Sequence, residues 1–155
     1  MAASQVAALV ERRLREAGSP ERAEHEKAYL KSSLEHAGAS VPATRSIVKA
    51  TLAEQPLEHD ELIDLVNALW ARPLHECRMA AVEALDLRSG LLRPEDIALV
   101  ERLIRESGTW ALVDGLAASV AGALVERHPQ LTGTLDRWAA DDDFWVRRSA
   151  LLALL

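Results

Sequence analysis

The stretch ELIDLVNALWARPLHECRMAAVEAL, residues 61–85, decides the fold. Its apolar residues recur at a period close to 3.6, the signature of a helix with one buried face. Pro73 interrupts the pattern, because a proline cannot donate to a helix interior and clashes with the preceding turn. The reading is one helix from about His59 to Trp70 and a second opening at Pro73 and ending near Leu87. Trp70 closes the first and is expected to pack against Pro73, and Trp138, farther along, is expected to pack between helices.

The same alternation continues on both sides. Upstream, a first helix runs from about Ala2 to Ala17 and stops at Gly18. Ser19 caps and Pro20 opens a second, which carries Tyr29, Lys31 and Leu34 before Gly38 ends it. Pro42 opens a third through about Ala53, and Pro56 breaks the chain. Downstream, Ser89 and Gly90 make a turn, and Pro94 with Glu95 and Asp96 begins a sixth helix that Gly108 closes. Thr109 caps a seventh reaching about Arg127. Pro129 and Gly133 punctuate a short eighth segment around Trp138, and Asp141, Asp142 and Asp143 open a ninth that is still running at Leu155. Strand-forming alternation is missing and there is one Phe and one Tyr, so the fold class is all-α. Short connections imply antiparallel neighbours, and pairs at a period of about 35 to 45 residues suggest stacked helical hairpins.

The chain of 155 residues is read as a single domain, residues 1–155. Nearly half its residues are apolar, as in soluble compact proteins. The net charge is −6, spread evenly: residues 1–77 and 78–155 each hold nine basic and twelve acidic side chains. That weighs against binding nucleic acid by bulk charge, although not against a local basic face. A lone Cys77, with no Cys or His at zinc-site spacing, fits a reducing cytoplasm. Residues 1–10 lack the cationic start of a signal peptide, and no apolar run approaches the length of a membrane span. No Walker loop, GxGxxG, GxSxG or HExxH motif is present, which leaves nucleotide hydrolysis, hydride transfer and zinc proteolysis without support.

Three stretches carry candidate chemistry. In GTWALVDGLAASVAG, residues 108–122, Trp110 and Asp114 lie four apart and share a helix face near a capped N-terminus. Spacing alone favours the plainer reading, a core Trp110 and a solvated or cap-bonded Asp114. In DDDFWVRRSALLALL, residues 141–155, Asp142 or Asp143 is a natural N-cap, and an aspartate-built cation site is the weaker reading. Arg147 and Arg148 point about 100° apart on the helix, so one can project while the other packs or pairs with an acid. A guanidinium fork suits phosphate oxygens. In EHEKAYLKSSLEHAGASVPATR, residues 24–45, Tyr29, Lys31 and Arg45 are candidates, with a half-buried tyrosine beside a surface lysine as the plainer reading. His75, Glu76 and Cys77 are adjacent on a helix, point in different directions, and are not read as metal ligands.

Together AYLKSSLEHAGASVPATR, ELIDLVNALWARPLHECRMAAVEAL, TWALVDGLA and DDDFWVRRSALLALL resemble, in order and spacing, the DNA alkylation-repair glycosylases of the AlkD type. The TW-x3-D and FW-x2-R pairs are the most specific part of the match. The resemblance implies HEAT-like antiparallel helical repeats forming an α-α superhelix. It implies hydrolysis of the N-glycosidic bond of N3- or N7-alkylated purines in duplex DNA, with Asp114, Trp110 and Arg148 as catalytic residues. Arg148, Lys31, Tyr29 and Arg45 become DNA contacts, with no metal, cofactor or membrane involved. It further implies helices beyond Leu155, so the C-terminal repeats are expected to be missing and the exposed C-terminal helix open to self-association. The alternative is a non-catalytic HEAT-like scaffold that binds DNA or protein on its concave face.

Overall fold

The computed structural model describes residues 1–155 and is helical nearly throughout. The helices are α1 (Ala3–Glu16), α2 (Pro20–Leu30), α3 (Val41–Glu54), α4 (His59–Trp70), α5 (His75–Leu87), α6 (Ile97–Ser107), α7 (Trp110–Asp114), α8 (Gly122–Arg127), α9 (Thr132–Ala139) and α10 (Phe144–Leu152). There is no strand, only one backbone bridge between Glu35 and Leu74. The all-α expectation holds. No helix is long and apolar enough to cross a membrane. The chain packs as two compact units, Met1–Leu87 and Arg88–Leu155.

In Met1–Leu87, α1 packs on α3, α4 and α5, and α5 also packs on α3 and α4. The core follows the helical spacing: Val6, Val10 and Leu14 of α1 are buried, as are Leu62, Leu65, Val66 and Leu69 of α4, the helix it packs on. Trp70 is buried, with the Arg78 guanidinium 4.8 Å from its ring centroid. Helix α5 begins at His75 rather than Pro73, and it is the innermost helix of this unit, with His75, Glu76 and Cys77 all buried.

Helix α2 departs most from expectation. It has no buried residue and ends at Leu30, because Lys31 turns into the left-handed region at φ 52° and stops the helix well before Gly38. The segment between α2 and α3 is then held by tertiary contacts. Glu76, fully buried, accepts hydrogen bonds from the backbone N–H groups of Ala37 (2.9 Å) and Gly38 (2.8 Å). The His75 N–H donates to the Glu35 carbonyl at 2.8 Å, and the Glu35 N–H to that of Pro73 at 3.1 Å. Gly38 has φ 83°, and a Cβ there would sit 2.1 Å from the Ser19 carbonyl oxygen, so only glycine fits.

In Arg88–Leu155, α6 buries Val100, Leu103 and Ile104 along one face. Helices α7 and α8 are joined without a break by a π-helical run, Gly115–Ala121, in which the Gly122 N–H reaches the Ala117 carbonyl five residues back. Helix α10 packs on α6, α7, the π-helical run and α9. Trp138 is buried as expected, and its indole Nε1 donates to Glu101 Oε1 at 2.7 Å. Gly133 lies inside α9 rather than punctuating that segment.

Candidate functional site

Asp114 closes α7 where the π-helical run begins, and Arg148 lies on α10, which packs against α7. The Arg148 fork meets the Asp114 carboxylate with both arms: Nε to Oδ1 at 3.0 Å and Nη2 to Oδ2 at 2.9 Å. Both side chains stay more than a third exposed, so the pair sits at an open surface. Asp114 is therefore neither a cap-bonded nor an unpartnered solvated acid.

Trp110, one helical turn before Asp114 on the same face, is 48% exposed. A core role for it is overturned. Thr109 caps the helix by accepting from the Ala111 N–H, which leaves the indole to project at the first turn while Leu112 and Val113 take the core. An aromatic this large and this exposed leaves an apolar ring face open to a partner.

Helix α10 is anchored at its start. The Asp143 carboxylate caps it, accepting from the Trp145 and Val146 N–H groups at 2.8 and 3.2 Å. Asp141 accepts the Asp143 N–H and pairs with Arg105, which pulls its carboxyl down from 3.8 to about 2, the Arg105 hydrogen bonds being the larger cause. Arg147 folds back on the carbonyls of Asp141 and Asp142. The two adjacent arginines thus divide as their angular separation allows, one bracing the helix start and the other reaching Asp114. Asp143 thus serves as the cap and Asp141 as the ion-pair partner of Arg105, while Asp142 contributes its backbone carbonyl to Arg147.

Phe144, the first residue of the FW-x2-R motif, is given no role by the sequence reading. It is 56% exposed, stands edge-on to Trp145 at 5.0 Å, and lies one turn before Arg148 on the same face of α10. The signal available was that spacing of four.

The remaining candidates belong to Met1–Leu87. Tyr29 is 70% exposed rather than half-buried, because α2 presents no residue to the core. Lys31 is exposed at the end of α2. Arg45 is engaged: its Nη1 donates to Glu83 at 2.5 Å and Asp86 at 2.9 Å. His75, Glu76 and Cys77 diverge as adjacent helix positions must. His75 stacks on His36, Glu76 binds the two backbone N–H groups, and the Cys77 sulfur faces Glu11 at 4.0 Å. Burial holds the Cys77 thiol up at about 12 and the His75 imidazole down at about 4.

These features define an all-α helical-repeat protein that gathers an aromatic face, a carboxylate and a guanidinium on one open surface. The family model described as DNA alkylation repair enzyme matches residues 10–155, and the chain belongs to that family. Its role is accordingly in DNA repair. No curated protein sequence matches the chain.

Proposed function

We propose that the protein is a DNA glycosylase that releases purines alkylated at N3 or N7 from duplex DNA. The observation that carries this reading is the meeting of Trp110, Asp114 and Arg148 on one exposed face of Arg88–Leu155. A scaffold has no need to expose an indole beside a carboxylate fixed in orientation.

An N3- or N7-alkylated purine already carries positive charge and leaves without protonation. What remains is to stabilise the deoxyribose as it becomes an oxocarbenium-like cation, and to place water. Asp114, fixed by two hydrogen bonds, supplies preorganised negative charge, so little reorganisation accompanies the developing cation. The face of Trp110 adds a cation–π contribution on the order of 1 kcal/mol. Arg148 uses Nε and Nη2 on Asp114, which leaves Nη1 of the same guanidinium as the proposed donor to a phosphate oxygen. Lys31, Tyr29 and Arg45 are further proposed contacts to DNA, Arg45 by exchanging its two carboxylates for phosphate. No cofactor takes part.

The test is release of 7-methylguanine from methylated duplex DNA by the full chain and by Asp114→Asn. Release by the wild type, falling by at least a hundredfold in the variant while DNA binding persists, is the expected result. No release by the wild type, with DNA still bound, would move the reading to a non-catalytic scaffold.

A further inference from the structure

We propose that His36 and His75, oriented by Glu26, form a binding site for a divalent transition metal of the zinc class within Met1–Leu87, separate from the proposed glycosylase site. The three residues come from three places in the chain: Glu26 from α2, His36 from the segment after it, and His75 from the first turn of α5. One ligand-capable atom from each lies within 4.8 Å of the others.

The chemistry of His36 points to an ion. Its Nδ1 is 2.9 Å from Glu26 Oε1, and a carboxylate can only accept, so Nδ1 donates and the neutral imidazole keeps its lone pair on Nε2. That Nε2 is buried, on a side chain 1% exposed, and meets no protein donor. A bare, buried acceptor whose opposite nitrogen is held by a carboxylate is the arrangement by which outer-sphere acids orient metal-binding histidines. The second imidazole is alongside: the His75 ring stacks on that of His36 with centroids 4.4 Å apart and planes 11° from parallel.

The backbone explains why the pair is held. The His75 N–H donates to the carbonyl of Glu35, the residue before His36, and Glu76 grips the N–H groups of Ala37 and Gly38 just after it. The backbone that carries both imidazoles is therefore fixed before any ion arrives. Donors around a tetrahedral zinc stand about 3.3 Å apart, given bonds of about 2.0 to 2.1 Å. Reaching that spacing takes a turn of one stacked ring about its Cβ–Cγ bond, so that its lone pair faces the other's. A cavity of about 250 Å³ lined by Arg15, Pro20, Ala23 and His36 lies beside the site. The charge of Arg15 does not repel a cation there, because Glu11 and Glu35 already pair with it. Imidazole nitrogen with a nearby carboxylate suits a borderline ion such as zinc over magnesium or calcium, which favour all-oxygen shells.

The experiment is calorimetric titration of the full chain with zinc chloride alone, beside His36→Gln, His75→Gln and Glu26→Gln, with circular dichroism confirming that each variant is folded. One ion per chain is expected, with affinity lowered at least tenfold by either histidine change and about ten- to hundredfold by Glu26→Gln. Cobalt(II) substitution should give the visible absorption of a low-coordinate nitrogen and oxygen site, absent in His36→Gln. No stoichiometric binding by the wild type at micromolar zinc, or binding unchanged in both histidine variants, would overturn the proposal.

Discussion

The Arg148 guanidinium grips the Asp114 carboxylate with two near-parallel hydrogen bonds of 3.0 and 2.9 Å while each side chain remains over a third exposed. Such a pair contributes little to stability, since solvent screens it. Its value lies in fixing orientation. Arg148→Lys keeps the charge and loses the fork, and is expected to lower the rate of base release at least tenfold while leaving the denaturation midpoint nearly unchanged. Single-turnover release measured beside urea denaturation separates the two. A variant that loses stability and activity in proportion would make the pair a structural tie.

The phosphate contacts proposed for Lys31 and Arg45 make a graded prediction. Each phosphate neutralised contributes about 0.9 to the slope of log affinity against log salt concentration. Lys31→Ala should reduce that slope by about one contact. Arg45→Ala should reduce affinity less, because Arg45 gives up Glu83 and Asp86 before it can meet DNA. Fluorescence anisotropy with an undamaged duplex across a salt series reads both. An unchanged slope in both variants would remove this face of Met1–Leu87 from the DNA contact.

Much of this arrangement was legible in the chain, for identifiable reasons. Helix positions follow from apolar period and from Ser19, Pro20, Thr109 and Asp143 at their starts, all local signals that the fold obeys. Trp110 misleads when spacing is read alone, because a tryptophan among apolar residues reads as core, and only the neighbouring Leu112 and Val113 take that place. Lys31 is a further case. Nothing local forces a lysine into the left-handed region, and the segment that follows is held from elsewhere in the chain, Ala37 and Gly38 by Glu76 and Glu35 by the bridge to Pro73 and His75. The grouping of Glu26, His36 and His75 depends on that same long-range tie, so no spacing could announce it. The π-helical run after Asp114 is equally silent in sequence.

Glu76 is the tie itself, and its loss should be felt. Glu76→Gln retains shape but offers one acceptor where two N–H groups need partners, and its amide would face the second donor. Hydrogen bonds to a buried charged group contribute about 1.5 to 3 kcal/mol, so destabilisation in that range is expected. Urea denaturation gives the magnitude, and amide exchange at Ala37 and Gly38 gives the location. Stability unchanged within about 0.5 kcal/mol, in the range of ordinary surface substitutions, would show that the segment holds without it.

Asp141 ties the start of α10 to α6 through Arg105, and its titration sets a pH window. Its folded value, about 2, lies below the ordinary 3.8, so the folded state prefers the ionised form. The stabilisation is therefore fully present above about 3.8 and is lost as the pH falls through about 2. Asp141→Asn mimics the protonated acid and cannot form the ion pair. Its melting temperature is expected to lie below that of the wild type at neutral pH, with the gap narrowing across the acid window until the two coincide. A gap that stays constant down to pH 2 would mean that the Asp143 N–H contact, rather than the charge on Asp141, secures the helix that carries Arg148.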